Sequence, residues 1–259
     1  MALIQCEFAS EILSKSVSMT AILPQETLVN ADSSYRLPTL YLLHGFSDNH
    51  TTWSRNTAIE QLVSDKELAV IMPSVDNSYY TDMVYGGKYW TFLTQELPKI
   101  SHAFFPLSSD REANFVAGHS MGGFGALKWA LNCPEQFSAV ASLSGVTDMV
   151  THLERIRKAS GDKLTYLSLV FGESNIHETA NDLLWKVEQL AIVTRKLPKI
   201  YQACGYSDFL YDLNQRFYHL CKQTSLDLTT DFGPGDHTWE YWGKKISDIL
   251  DWLPVRNRH

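Results

Sequence analysis

The stretch Gly118-His119-Ser120-Met121-Gly122 decides how this chain is read. It follows an apolar run over residues 113–117 and opens a helix-like segment over 123–131. A buried strand, a sharp turn and a helix around a G-x-S-x-G pattern predict a nucleophile elbow, with Ser120 on a strained turn. Side chains at Gly118 or Gly122 would crowd the neighbouring strand and helix there.

Outward from this stretch, short apolar runs alternate with helical patterns. Residues 3–8 and 17–23 predict an N-terminal hairpin, and 31–34 a loop. Runs at 37–43, 68–72, 139–143, 199–203 and 226–230 predict further strands. Helical spacing appears over 57–64, 90–104 and 239–253, with Pro98 an awkward residue inside the second. The segment 76–88, rich in Tyr, Asn, Asp and Gly, predicts a loop. Strands alternating with helices imply an α/β fold with a mostly parallel central sheet covered on both faces. The region 146–196 breaks this rhythm with a helical pattern. It reads as a cap insertion within a single domain spanning 1–259.

Composition narrows the function. Of 259 residues, 44% are hydrophobic and 20% charged, as in a globular chain with a sizeable core. The net charge of −7, without a Lys/Arg cluster, argues against nucleic acid and anionic membrane as partners. Cys6, Cys133, Cys204 and Cys221 have neither metal spacing nor a C-x-x-C pattern. There is no H-E-x-x-H, and the glycines after Ser120 do not form a dinucleotide fingerprint, so no metal and no cofactor are expected. The N-terminus lacks the basic start and apolar core of a signal peptide, and no apolar run is long enough to span a membrane. A cytoplasmic protein with reduced thiols is the simplest expectation.

A serine hydroxyl needs a base within hydrogen-bond reach, and the base needs an orienting acid. On this fold class the chain order is Ser, then Asp or Glu, then His. Asp208 follows the strand expected at 199–203 and so lies at the sheet edge that carries Ser120. Asp148, Asp212 and Asp231 are its rivals. His237, in Gly233-Pro234-Gly235-Asp236-His237, lies between the last strand and the last helix, where the base belongs. His44 and His119 read as structural, and His259 is terminal. The Met121 N–H, at a helix N-terminus, is one expected oxyanion donor. The Phe46 N–H, in the His44-Gly45-Phe46 loop, is the other.

The motifs L-L-H-G-F-S-D-N (42–49), Y-G-G-K-Y-W-T-F-L-T-Q-E-L-P (85–98), G-H-S-M-G-G-F-G-A-L (118–127), C-G-Y-S-D-F-L and G-D-H-T-W-E-Y-W occur in this order. Together they resemble the esterase D-type α/β hydrolases, most closely the tributyrin esterase branch of Gram-positive bacteria. The resemblance covers nearly the whole chain. It implies an α/β-hydrolase fold and a serine carboxylesterase for short-chain acyl esters. It carries the same roles onto Ser120, Asp208, His237, Phe46 and Met121. The S-formylglutathione hydrolases of that superfamily have a cysteine shortly after the oxyanion glycine, where this chain has Ser47-Asp48-Asn49. That weakens a glutathione-thioester reading.

A small apolar acyl pocket is expected, walled by Phe46, Phe171, Leu184, Trp185 and Phe209. Trp53, Tyr79, Tyr80 and Trp90 raise an aromatic or sugar-linked ester. Thioesterase, sugar deacetylase, feruloyl-type esterase and acyltransferase are alternatives on the same three residues. A non-catalytic binding protein would usually lack one of them. The partner is a small-molecule ester, and aromatic patches in the cap could support a homo-oligomer.

Overall fold

The computed structural model describes residues 1–161, 165–193 and 196–255. Parts of the 146–196 segment, and His259, lie outside the described residues. Strands β1 (Ala2–Ser10), β2 (Lys15–Leu23), β3 (Thr39–Leu43), β4 (Ala69–Pro73), β5 (Asn114–His119), β6 (Ala139–Leu143), β7 (Lys199–Gly205) and β8 (Leu228–Gly233) form one sheet. Its order is β1-β2-β4-β3-β5-β6-β7-β8. The β1–β2 hairpin joins antiparallel to β4, and every other pairing is parallel. Parallel neighbours need crossovers, and the helices supply them.

The helices are α1 (Gln25–Asn30), α2 (Thr52–Asn56), α3 (Ile59–Leu62), α4 (Tyr89–Thr91), α5 (Leu97–Phe104), α6 (Met121–Asn132), α7 (Met149–Ser160), α8 (Tyr166–Phe171), α9 (Leu183–Ala191), α10 (Tyr211–Cys221) and α11 (Trp239–Trp252). The central strands are apolar at both parities because both faces are covered. Tyr41, Leu43 and Val116 face one core with α6, α9 and α10. Leu40, Leu42, Phe115 and Ala117 face a second core with α2, α3 and α11.

Several boundaries differ from expectation for local reasons. Of the helix expected at 57–64 only the single turn α3 forms, and a second short helix, α2, precedes it. Thr57 is extended between them, and its Oγ1 accepts from the Ile59 N–H at 3.2 Å. The helix expected at 90–104 contains a π-turn over Phe92–Glu96, after which Pro98 falls in the first turn of α5. There its missing N–H has no intrahelical partner to lose. The last strand runs on to Gly233, so Asp231 lies inside it. Helices α1 and α10 were not foreseen. No residue of α1 is buried, so it leaves no apolar stripe. In α10, Leu213, Phe217 and Cys221 are buried at four-residue spacing, a readable signal.

The segment between β6 and β7 carries α7, α8 and α9. Leu153, Val170, Phe171, Leu183 and Val187 from it share the core of the sheet's first face. It therefore packs as part of that core.

Candidate active site

Ser120 stands between the end of β5 and the start of α6 with φ +53° and ψ −118°. That is left-handed backbone for a residue with a Cβ, a conformation that costs energy and persists only when its surroundings enforce it. The enforcement is visible. Ser120 N–H donates to Leu143 O at 2.9 Å, and a Cβ on Gly122 would lie 2.4 Å from Leu43 O. On Gly118, a Cβ would lie 2.4 Å from Gly122 O. Strand, turn and helix can meet this closely only with glycine at both positions.

His237 Nε2 lies 2.9 Å from Ser120 Oγ, and His237 Nδ1 lies 2.9 Å from Asp208 Oδ2. An ionised carboxylate only accepts, so Nδ1 carries the ring proton and Nε2 is left to accept from the serine hydroxyl. The Asp208 side chain is fully buried. Burial alone would raise its carboxyl; hydrogen bonds from His237, the Ser144 hydroxyl and the Leu210 N–H outweigh this and hold it below the usual value. Ser144, at the end of β6, is itself left-handed at φ +48° and accepts from Trp242 Nε1 at 3.1 Å. Sequence reasoning missed this supporting hydroxyl.

The rival acids are engaged elsewhere. Asp148 caps α7 through Thr151 N–H at 2.9 Å and pairs with Arg216 at 3.0 Å. Asp212 pairs with Arg155. Asp231 accepts from Tyr201 OH at 2.7 Å and from Lys245 at 2.5 Å.

The loop after β3 is held by buried polar contacts. His44 Nδ1–H donates to Gly45 O at 2.8 Å, and Nε2 accepts from Val75 N–H at 3.1 Å. Burial lowers His44 to about 4, so it is a neutral structural ring. Tyr80 OH donates to His44 O at 2.8 Å. Met121 is the first residue of α6, where a backbone N–H has no intrahelical partner.

A cavity of about 440 Å³ opens over this site, with Ser120, His237, Phe46, Tyr79, Val146 and Phe209 in its lining. Phe46 lies 6.1 Å from Tyr79 and 5.5 Å from Tyr166, ring centre to ring centre. Phe171 stands behind this wall, buried, 6.1 Å from Tyr79. Leu184 and Trp185 line a separate cavity with Asp182 and Arg216. Helix α9 buries Leu183, Val187 and Leu190, and Leu184 packs half-buried against the same core, so none of this face reaches the Ser120 cavity. Of the four aromatic residues that suggested stacking, only Tyr79 lines the cavity. Trp53 and Tyr80 are core, and Trp90 covers the Lys128 ammonium at 4.4 Å.

No helix among the described residues is long and apolar enough to cross a membrane. The model of the Esterase family matches residues 10–253. An acetyl esterase of Caldicellulosiruptor saccharolyticus is 31% identical over 98% of both chains. Among solved structures, FphF, a fluorophosphonate-binding serine hydrolase of Staphylococcus aureus, has 33% identity and a TM-score of 0.87 over 97% of this chain and 98% of its own. The S-formylglutathione hydrolase FrmB of the same organism has 33% identity and a TM-score of 0.84 over the same shares. The chain belongs to the Esterase family and is a serine hydrolase of the α/β-hydrolase fold.

Proposed function

We propose that this protein is a serine carboxylesterase for short-chain acyl esters, working through an acyl-enzyme on Ser120. The observation that carries the reading is the chain of two 2.9 Å contacts from Asp208 through His237 to a strained Ser120. His237 Nε2 takes the hydroxyl proton as Oγ attacks the ester carbonyl. The Met121 and Phe46 N–H groups hold the developing oxyanion, and Asp208 stabilises the imidazolium. His237 then gives its proton to the leaving alcohol, and water attacks the acyl-enzyme by the same route in reverse.

Phe46, Tyr79 and Val146 line the cavity with Ser120, and Phe171 packs against Tyr79. This supports acetyl to butyryl chains, and Val146 and His152 are what the segment after β6 contributes to the cavity. Ser120→Ala should lose about 10⁴-fold or more in turnover of nitrophenyl acetate with the fold intact. Near-normal turnover by that variant refutes the proposal. A series from acetate to decanoate should peak at the short end, and a peak at decanoate overturns the small-pocket part.

The likeness to FrmB favours a second reading, hydrolysis of a glutathione thioester. A kcat/KM for S-formylglutathione well above that for nitrophenyl acetate selects it.

A further inference from the structure

The cavity carries one charged feature that the esterase reading does not use. Asp48 lines it, with its side chain 17% exposed, and accepts from His119 Nε2–H at 3.0 Å through Oδ2. His119 is buried among Trp53, Trp239 and Trp242, at ring-centre distances of 5.0, 4.4 and 4.3 Å. Burial lowers the His119 ring, so it donates to Asp48 as a neutral group. His152, the other lining histidine apart from His237, is lowered by burial as well. No Lys or Arg lines this cavity among the described residues. A carboxylate in a cavity that Trp239 and Phe209 also line is an environment that attracts a cation and repels an anion.

The location says which part of a substrate would meet it. The leaving oxygen must face His237 to receive its proton. The His237 ring lies 4.8 Å from Trp242, and Trp242 lies 4.3 Å from the His119 ring that holds Asp48. Thr238 and Trp239 follow His237 directly and line the same cavity. Trp239 and Asp48 both contact His119, and Trp239 lies two residues after His237, so the Asp48 carboxylate adjoins the side of the cavity on which the base delivers its proton.

We infer that Asp48 and its aromatic neighbours select esters whose alcohol carries a positive charge, such as a quaternary ammonium, and disfavour anionic alcohols or thiols. The inference rests on the esterase reading above.

The test is kcat/KM for acetylcholine and for its uncharged isostere 3,3-dimethylbutyl acetate, with wild type, Asp48→Asn and Ser120→Ala. Wild type should prefer the cation by about 10-fold, the scale of one carboxylate acting across a partly solvated cavity. In Asp48→Asn the ratio should fall towards one. A sulfonate-bearing acetate should be the poorest substrate of wild type, a measurement that holds even where the variant misfolds. A cation-to-neutral ratio at or below one in wild type, or a ratio unmoved by Asp48→Asn, overturns the inference while Ser120-dependent hydrolysis of the neutral ester leaves the esterase reading standing. Absence of Ser120-dependent hydrolysis of either ester overturns both.

Discussion

Replacing Lys128 by Met should remove a specific pH dependence of stability. Lys128 lies on α6, eight residues past Ser120, and is 2% exposed. Its Nζ donates to Tyr80 O at 2.8 Å and to Thr81 Oγ1 at 2.9 Å, and no carboxylate among the described residues is within ion-pair distance. Burial lowers the amine from 10.5 to about 7. Below pH 7 both folded and unfolded chains carry the proton, and the fold bears the full cost of the buried charge. Between pH 7 and 10.5 the unfolded chain binds more protons than the folded one, so stability rises with pH across that window. From pH 7 to pH 9 this rise is about 2 kcal/mol, at roughly 1.4 kcal/mol per pH unit once the folded amine has titrated. Met removes the titration and leaves Tyr80 O and Thr81 Oγ1 without this donor, a pH-independent loss of about 1 kcal/mol per bond. Urea unfolding of both proteins at pH 7 and pH 9 isolates the effect, because every other group titrates in each. The stability of wild type minus that of Lys128→Met should increase by about 2 kcal/mol at the higher pH. A difference that stays constant, or falls, refutes the buried-ammonium argument.

Two further substitutions probe the site. Asp208→Asn should lower kcat on the order of 10⁴-fold by favouring the wrong His237 tautomer; a larger loss in Asp148→Asn would reassign the acid. Gly122→Ala should destabilise by several kcal/mol and abolish turnover, since its Cβ would meet Leu43 O at 2.4 Å. An active variant with a wild-type melting midpoint would show that the elbow tolerates more room than the geometry allows.

The parts of the site that were legible in the sequence are those fixed by backbone geometry and chain order. A turn that needs glycine at 118 and 122 leaves a local pattern. The residues at strand ends inherit their place from the alternation of strands and helices. The cavity walls are different. Leu184 and Trp185 were expected beside Phe209, yet the direction in which α9 presents them is set by which of its faces the core claims, a tertiary matter. Trp53 and Tyr80 look like stacking residues by type. They are core instead, because the Trp53 Nε1–H and Tyr80 OH are satisfied by Leu43 O and His44 O. Asp48 and Ser144 carried no signal beyond their motifs, since their roles depend on His119 and Asp208, which are distant in sequence.

The central claim is that Ser120 is the acylated residue and that His237 activates it. Reaction with a fluorophosphonate probe, followed by peptide mapping by mass spectrometry, tests it most directly. One adduct per chain is expected, on Ser120, absent in Ser120→Ala and formed far more slowly in His237→Ala. Labelling at another residue, or labelling of Ser120 at the same rate without His237, would contradict it.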